Sequence, residues 1–129
     1  MLFRSKLAGG FGKDLIIGGV GKDVLVGGRN KIRDQKEDIL IAGTTDYDST
    51  PTDLAEIVNF WNQTNLTYRD RVVALSHGIP SLPAGLNSTT VHGDGARDDI
   101  FGSGGPDWIF IVEGQDKILY RRDGEVTRL

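Results

Sequence analysis

Residues 9–26 read GGFGKDLII followed directly by GGVGKDVLV. Both nonapeptides have the form Gly-Gly-x-Gly-x-Asp-x-U-x, in which U is a large aliphatic residue. Six glycine-rich positions favour a turn, and the three that follow are β-branched or aliphatic and favour a short strand. An Asp at the sixth position, Asp14 and then Asp23, closes each turn. Every corner therefore carries a carboxylate and several bare carbonyls, and oxygen is the donor that hard cations take.

Downstream, Gly27-Gly28 opens a third turn. A polar run from Arg29 to Glu37 then replaces the short x-Gly-x, and the register returns at Asp38-Ile39-Leu40-Ile41. A fourth turn begins at Ala42-Gly43 and does not close; from Thr44 the repeat is lost until Gly93. Beyond it, Asp98, Asp107 and Asp116 recur at a spacing of nine, and so do Ile100, Ile109 and Ile118 in the U slot. A period held over three repeats is a repeat, even where the glycines have decayed.

In a strand of three residues the middle side chain points one way and its neighbours the other. Ile16, Leu25, Leu40, Ile100, Ile109 and Ile118 are thus predicted to form the inner stack of a two-sheeted roll. The outer positions, Leu15, Ile17, Val24, Val26, Trp108 and Phe110, are too apolar to face water in a row. The segment between the repeat blocks can cover them. Thr50 and Pro51 read as an N-cap and first helical residue, followed by the stripe Leu54, Ile57, Val58 and Trp61. Thr67 with Asp70 repeats the capping pattern, Tyr68, Val72 and Leu75 make a second stripe, and Gly78 stops that helix before Pro80. The sequence predicts a helical hairpin with a loop over residues 79–86, folded back on one sheet.

The whole reads as one domain over 1–129: a first repeat block (9–41), a helical hairpin and loop insertion (42–88), a second repeat block (89–119) and a charged tail (120–129) expected to fray. Eighteen glycines are about twice the usual share, and they lie in phase with the strands. A formal net charge of −3 without a basic stripe argues against a nucleic-acid or anionic-membrane partner. Cysteine is absent, which removes disulfides and thiolate zinc sites, so a metal staple would be held by oxygen. No apolar run reaches a membrane span, and the N-terminus does not read as a signal peptide. A repeat array starting this close to the N-terminus is expected of a fragment of a larger parent chain, monomeric as a fragment.

The sequences GGFGKDLII and GGVGKDVLV resemble the calcium-binding RTX (hemolysin-type) nonapeptide. The match is strong over Gly9 to Val26, partial over Gly27 to Ile41 and Gly93 to Leu119, and absent from the helical insertion. Repeats combined with a helical insertion also resemble C-terminal modules of large secreted bacterial proteins. The resemblance implies a mainly β fold, a parallel β-roll (a solenoid of short strands) interrupted by two helices packing on one sheet, with Ca²⁺ held between alternate turns. Carried over residue by residue, it implies that Asp14 and the turn residues Gly10 and Gly12 share an ion with Gly27, Arg29 and Asp38. Asp23, with Gly19 and Gly21, would face Ala42 and Thr44 of the fourth turn, with Asp46 in the missing slot. Asp98 would continue the first edge and Asp107 the second. A metal-free reading, in which Gly and Asp serve only as turn formers, stays open for the later turns.

No catalytic constellation stands out. His77 and His92 fit solvated or capping roles, Gly102-Ser103-Gly104 lacks the nucleophile-elbow spacing, and no His-Glu-x-x-His occurs. Asp98-Asp99 are neighbours along a strand and point apart, unlike paired glycosidase carboxylates. The expected function is a calcium-binding structural module of a secreted, extracellular or cell-surface protein that locks on Ca²⁺ after export and caps a repeat array. The alternative is an adhesive or carbohydrate-binding module using Trp108, Phe110 or the 79–86 loop as a contact surface; burial of those rings would favour the first.

Overall fold

Alternation of turn and aliphatic triplet sends successive strands to two different sheets. The computed structural model describes residues 4–8, 13–27, 37–102, 104–121 and 124–129. Along them run β1 (Arg4–Ala8), β2 (Leu15–Ile17), β3 (Lys22–Val26), β4 (Ile39–Ile41), β5 (Thr44–Thr45), α1 (Pro51–Trp61), α2 (Tyr68–His77), β6 (Val91–His92), β7 (Asp99–Phe101), β8 (Asp107–Ile111), β9 (Lys117–Tyr120) and β10 (Gly124–Arg128). Sheet A has the order β1-β3-β7-β9 and sheet B the order β10-β8-β4-β2, while β5 and β6 form a separate pair. All ladders of sheets A and B are parallel, and β5 with β6 is antiparallel.

This topology corrects the expected parallel β-roll. The described chain is mixed α/β, it combines parallel and antiparallel pairing with two helices, and neither four-stranded sheet closes on itself. The physical reason is that residues 42–92 do not decorate a finished β core. Tyr47, Ile57, Trp61, Val72, Leu75, Leu82 and Leu86 join Ile39, Ile41, Trp108 and Phe110 in the larger of two apolar cores. The smaller core lies between the sheets and contains Ile16, Leu25, Leu40, Ile100 and Ile109, with Ile118 partly buried against it. The inner stack is thus the one the period predicts, but it is the minor part of the buried apolar surface.

Both helices begin where their signals lie. Thr50 is the N-cap of α1 with Pro51 in the first turn, although the Thr50 side chain makes no capping bond. At α2 the Thr67 hydroxyl accepts the Asp70 N–H at 3.1 Å, and Gly78, at φ 111°, ends the helix. Ile57 and Trp61 fall on the buried face of α1, and Val72 and Leu75 on that of α2. Trp61 packs at 6.0 Å from Trp108, which packs at 4.8 Å from Phe110. Arg71 is 2 % exposed. Its guanidinium lies 4.5 Å over the Trp61 ring, donates to the Trp61 carbonyl and pairs with Glu37, so its charge is both stacked and neutralised.

The helices cover sheet B only. Leu15, Ile17, Trp108 and Phe110 lie in the helix-lined core, as expected, whereas Val24 and Val26 do not. Odd and even repeats alternate between sheets, so β3 stands on the face opposite the helices. The tail is also more ordered than its charge suggests. Strand β10 extends sheet B beside β8 from Gly124↔Asp107 to Arg128↔Ile111, with Thr127 Oγ1 accepting the Trp108 indole N–H at 3.0 Å.

Candidate metal centre

The sixth-position aspartates form two columns, one along each sheet. On sheet B, Asp38 Oδ1 accepts the Asp14 N–H at 2.7 Å, and Asp107 Oδ1 accepts the Asp38 N–H at 2.9 Å. On sheet A, Asp98 Oδ1 accepts the Asp23 N–H at 2.6 Å, and Asp116 Oδ1 accepts the Asp98 N–H at 2.9 Å. Asp38, Asp107, Asp98 and Asp116 therefore each hold the coil beside them through one oxygen. That bond fixes the side chain and leaves the direction of its second oxygen determined.

The columns correct the expected edges. Asp14 and Asp38 do share an edge, but Asp107 continues it, while Asp98 joins Asp23. The cause is the number of coils. The fourth turn leads out into the helices instead of closing a coil, so Asp98 occupies the fourth place in the array and not the fifth. Asp46, expected opposite Asp23, instead bonds His92 Nε2 at 2.8 Å where β5 meets β6. Thr44 pairs with His92 in that ladder, and the Ala42 N–H donates to the Phe110 carbonyl. Gly19, at φ 80°, donates its N–H to the Gly43 carbonyl, Gly21 has φ 101°, and the Gly27 N–H donates to the Phe101 carbonyl. These residues shape turns around the columns. Gly10, Gly12 and Arg29 lie outside the described residues.

On sheet A the column becomes a cluster. Ligand-capable oxygens of Asp23, Asp94 and Asp98 lie within 4.8 Å of one another. Asp98 is fully buried and Asp23 1 % exposed. Asp98 Oδ2 and Asp94 Oδ2 are buried and accept no hydrogen bond among the described residues. Asp94 Oδ1, by contrast, accepts the Ala96 N–H. An unsolvated carboxylate oxygen with no donor costs several kcal/mol, on the order of the charged-group penalty, unless a proton or a cation meets it. Burial, reinforced by the carboxylates of Asp94, Asp116 and Asp23, pushes the Asp98 carboxyl up to about 7, against the pull of the Asp23 N–H. Burial raises Asp116 as well. Three acidic oxygens turned together, with no nitrogen or sulfur donor among them, can hold a metal ion, and the set suits a hard one.

Asp94 escapes a reading by period because it stands at the second position of Gly93-Asp94-Gly95-Ala96-Arg97-Asp98, a glycine slot in GGFGKD and GGVGKD. An acid in that slot, in a turn already carrying one, is the signal that marks it. The rings expected of a contact surface are covered instead: Trp108 and Phe110 are 1 % and 0 % exposed, and Ile79, Leu82 and Leu86 of the 79–86 loop are buried.

Fold and site together define a mixed α/β module with a buried carboxylate cluster able to hold a metal ion. Comparison with family models, curated proteins and solved structures finds no match. No helix among the described residues is long and apolar enough to cross a membrane.

Proposed function

We propose that the chain is a calcium-binding structural module of a secreted or cell-surface protein, tightened by Ca²⁺ after export. The observation that carries this reading is Asp98. Its fully buried carboxylate gives one oxygen to the Asp23 N–H and leaves the other buried without a donor among the described residues, in a cluster with the carboxylates of Asp23 and Asp94. Ca²⁺ accepts six to eight oxygens with loose geometry, so three carboxylates completed by carbonyls or water suit it better than Mg²⁺, which demands a near-ideal octahedron. The nonapeptide resemblance points to the same ion.

The energetics favour a switch. Like charges at this range repel by roughly 3 to 4 kcal/mol per pair in a protein-like dielectric, and a cation reverses the sign. Extracellular calcium modules bind at ~10⁻⁴ to 10⁻³ M. At about millimolar Ca²⁺ one such site adds roughly 0.4 to 1.4 kcal/mol to stability by mass action. The helix-lined core needs no cation, so the metal-free state keeps structure.

Titration calorimetry of Ca²⁺ into metal-free protein tests the proposal, with Asp98→Asn as the partner variant. Asn keeps an acceptor oxygen for the Asp23 N–H and loses the charge. Binding in the range above, weakened at least about tenfold in the variant, is the expected result. Absence of binding to the wild type rejects the function, and equal binding by the variant rejects the site.

A further inference from the structure

The two repeat blocks meet along two seams that are closed by different means. In sheet B the seam is β4 against β8, from Ile39↔Trp108 to Ile41↔Phe110. The helices lie across it. Trp61 Nε1 donates to the Glu37 carbonyl before β4, and the Tyr68 hydroxyl donates to the Asp107 carbonyl in β8. The seam residues themselves share a core with Ile57, Trp61, Val72 and Leu75. In sheet A the seam is β3 against β7, from Val24↔Asp99 to Val26↔Phe101. Its outer side chains take no part in the helix-lined core, and Phe101 is 36 % exposed.

The carboxylate cluster stands on this bare seam. Asp23 is part of β3, Asp98 immediately precedes β7, and Asp94 lies in the turn that leads to it. The buried oxygens of Asp94 and Asp98 without donors belong to one side of the junction, and Asp23 to the other. We propose that a divalent cation at Asp23, Asp94 and Asp98 locks the β3–β7 seam, so that its loss unzips sheet A between the repeat blocks while the helix-covered β4–β8 seam stays closed. This rests on the calcium reading above and adds which half of the molecule the ion controls. Local opening follows the least supported contacts. On sheet A those are three paired positions set against clustered negative charge, and on sheet B they are three positions beneath an aromatic core. The opened form exposes Leu25 and Ile100, both buried in the closed state, and two parallel strand edges able to pair with another chain.

Hydrogen exchange read by mass spectrometry on the full chain, metal-free and with Ca²⁺ at about ten times its dissociation constant, tests the lock. Amides of β3 and β7 are expected to exchange roughly tenfold faster without calcium, while those of β4, β8 and α1 change less than about twofold. Asp94→Asn in the presence of calcium should shift toward the metal-free pattern at β3 and β7 alone. Calcium-dependent protection that is equal at both seams, or greater on sheet B, overturns the lock and leaves the calcium reading intact. Calorimetry on the same sample separates the two failures, because a wild type that binds no calcium overturns the calcium reading and the lock with it.

Discussion

The metal-free protein should become less stable as the pH rises from 5 to 7.5, against the usual trend for an acidic domain. Asp98 is the reason. Its carboxyl sits at about 7 in the folded chain against an ordinary 3.8, so the folded state holds a proton that the unfolded state has released. A carboxyl shifted in this direction contributes stability that is complete below the unfolded value and is lost as the pH climbs through the folded one. The difference between about 7 and 3.8, at about 1.4 kcal/mol per pH unit, sets an upper scale of roughly 4 kcal/mol. Most of it lies between pH 4 and 7, and Asp116 adds in the same sense because burial raises it too. Urea denaturation in metal-free buffer at pH 5 and pH 7.5 measures the effect, with Asp98→Asn in parallel. The variant keeps the acceptor for Asp23 and has no proton to lose, so its pH dependence should flatten and its metal-free stability at pH 7.5 should exceed that of the wild type. Ca²⁺ at about millimolar should recover roughly 0.4 to 1.4 kcal/mol of the wild type's stability at pH 7.5 and leave the variant nearly unchanged. Metal-free wild type more stable at pH 7.5 than at pH 5 would refute the desolvation argument at its root.

Three further outcomes follow from packing. Trp61→Ala removes the ring between Trp108 and Arg71 and should cost about 3 to 5 kcal/mol, read as a lower urea midpoint at unchanged slope. Arg71→Ala strips the buried counter-charge from Glu37 and the cation from the Trp61 face. Equilibrium unfolding should report about 3 to 5 kcal/mol lost, with little regained in Arg71→Lys because the planar fork is gone. At Gly43 a Cβ would collide with the His92 carbonyl, so Gly43→Ala should separate β5 from β6 and lower the melting temperature by several degrees, at roughly 4 °C per kcal/mol for a chain between the small and the mid-sized domain classes.

Local signals were legible in the sequence because they are written in single residues. The caps at Thr50 and Thr67, the stop at Gly78 and the stripe ending at Trp61 depend on neighbours a turn away, and the U-slot aliphatics had only one side of a triplet to occupy. What the period could not state was global. Whether the fourth turn closes a coil decides the parity of every later strand, and that choice rests on contacts between Tyr47, Leu86 and the sheet, far apart in the chain. The expected edges for Asp98 and Asp107 were exchanged for that reason, and Val24 and Val26 were assigned a cover that lies on the other sheet. A β-roll was expected because the repeat is the visible pattern, while the larger core joins repeat residues such as Ile39, Ile41, Trp108 and Phe110 to helix and loop residues that belong to no repeat. Two of the three carboxylates in the cluster were legible: Asp23 and Asp98 are in phase, and Asp94 is out of it.

The bonds from each aspartate oxygen to the amide of the coil beside it have a consequence for engineering. They act as register pins that refer to the strand alone and ignore the length of chain between pinned positions. Gly27 and Asp38 are close in the sequence while Ile41 and Asp98 are far apart, yet Asp38 and Asp98 are pinned in the same way. A foreign loop grafted between two pins should be tolerated on the same terms, provided it delivers its next aspartate to the waiting N–H. The array is in that sense a scaffold with sockets, and the helical segment is what one socket already carries.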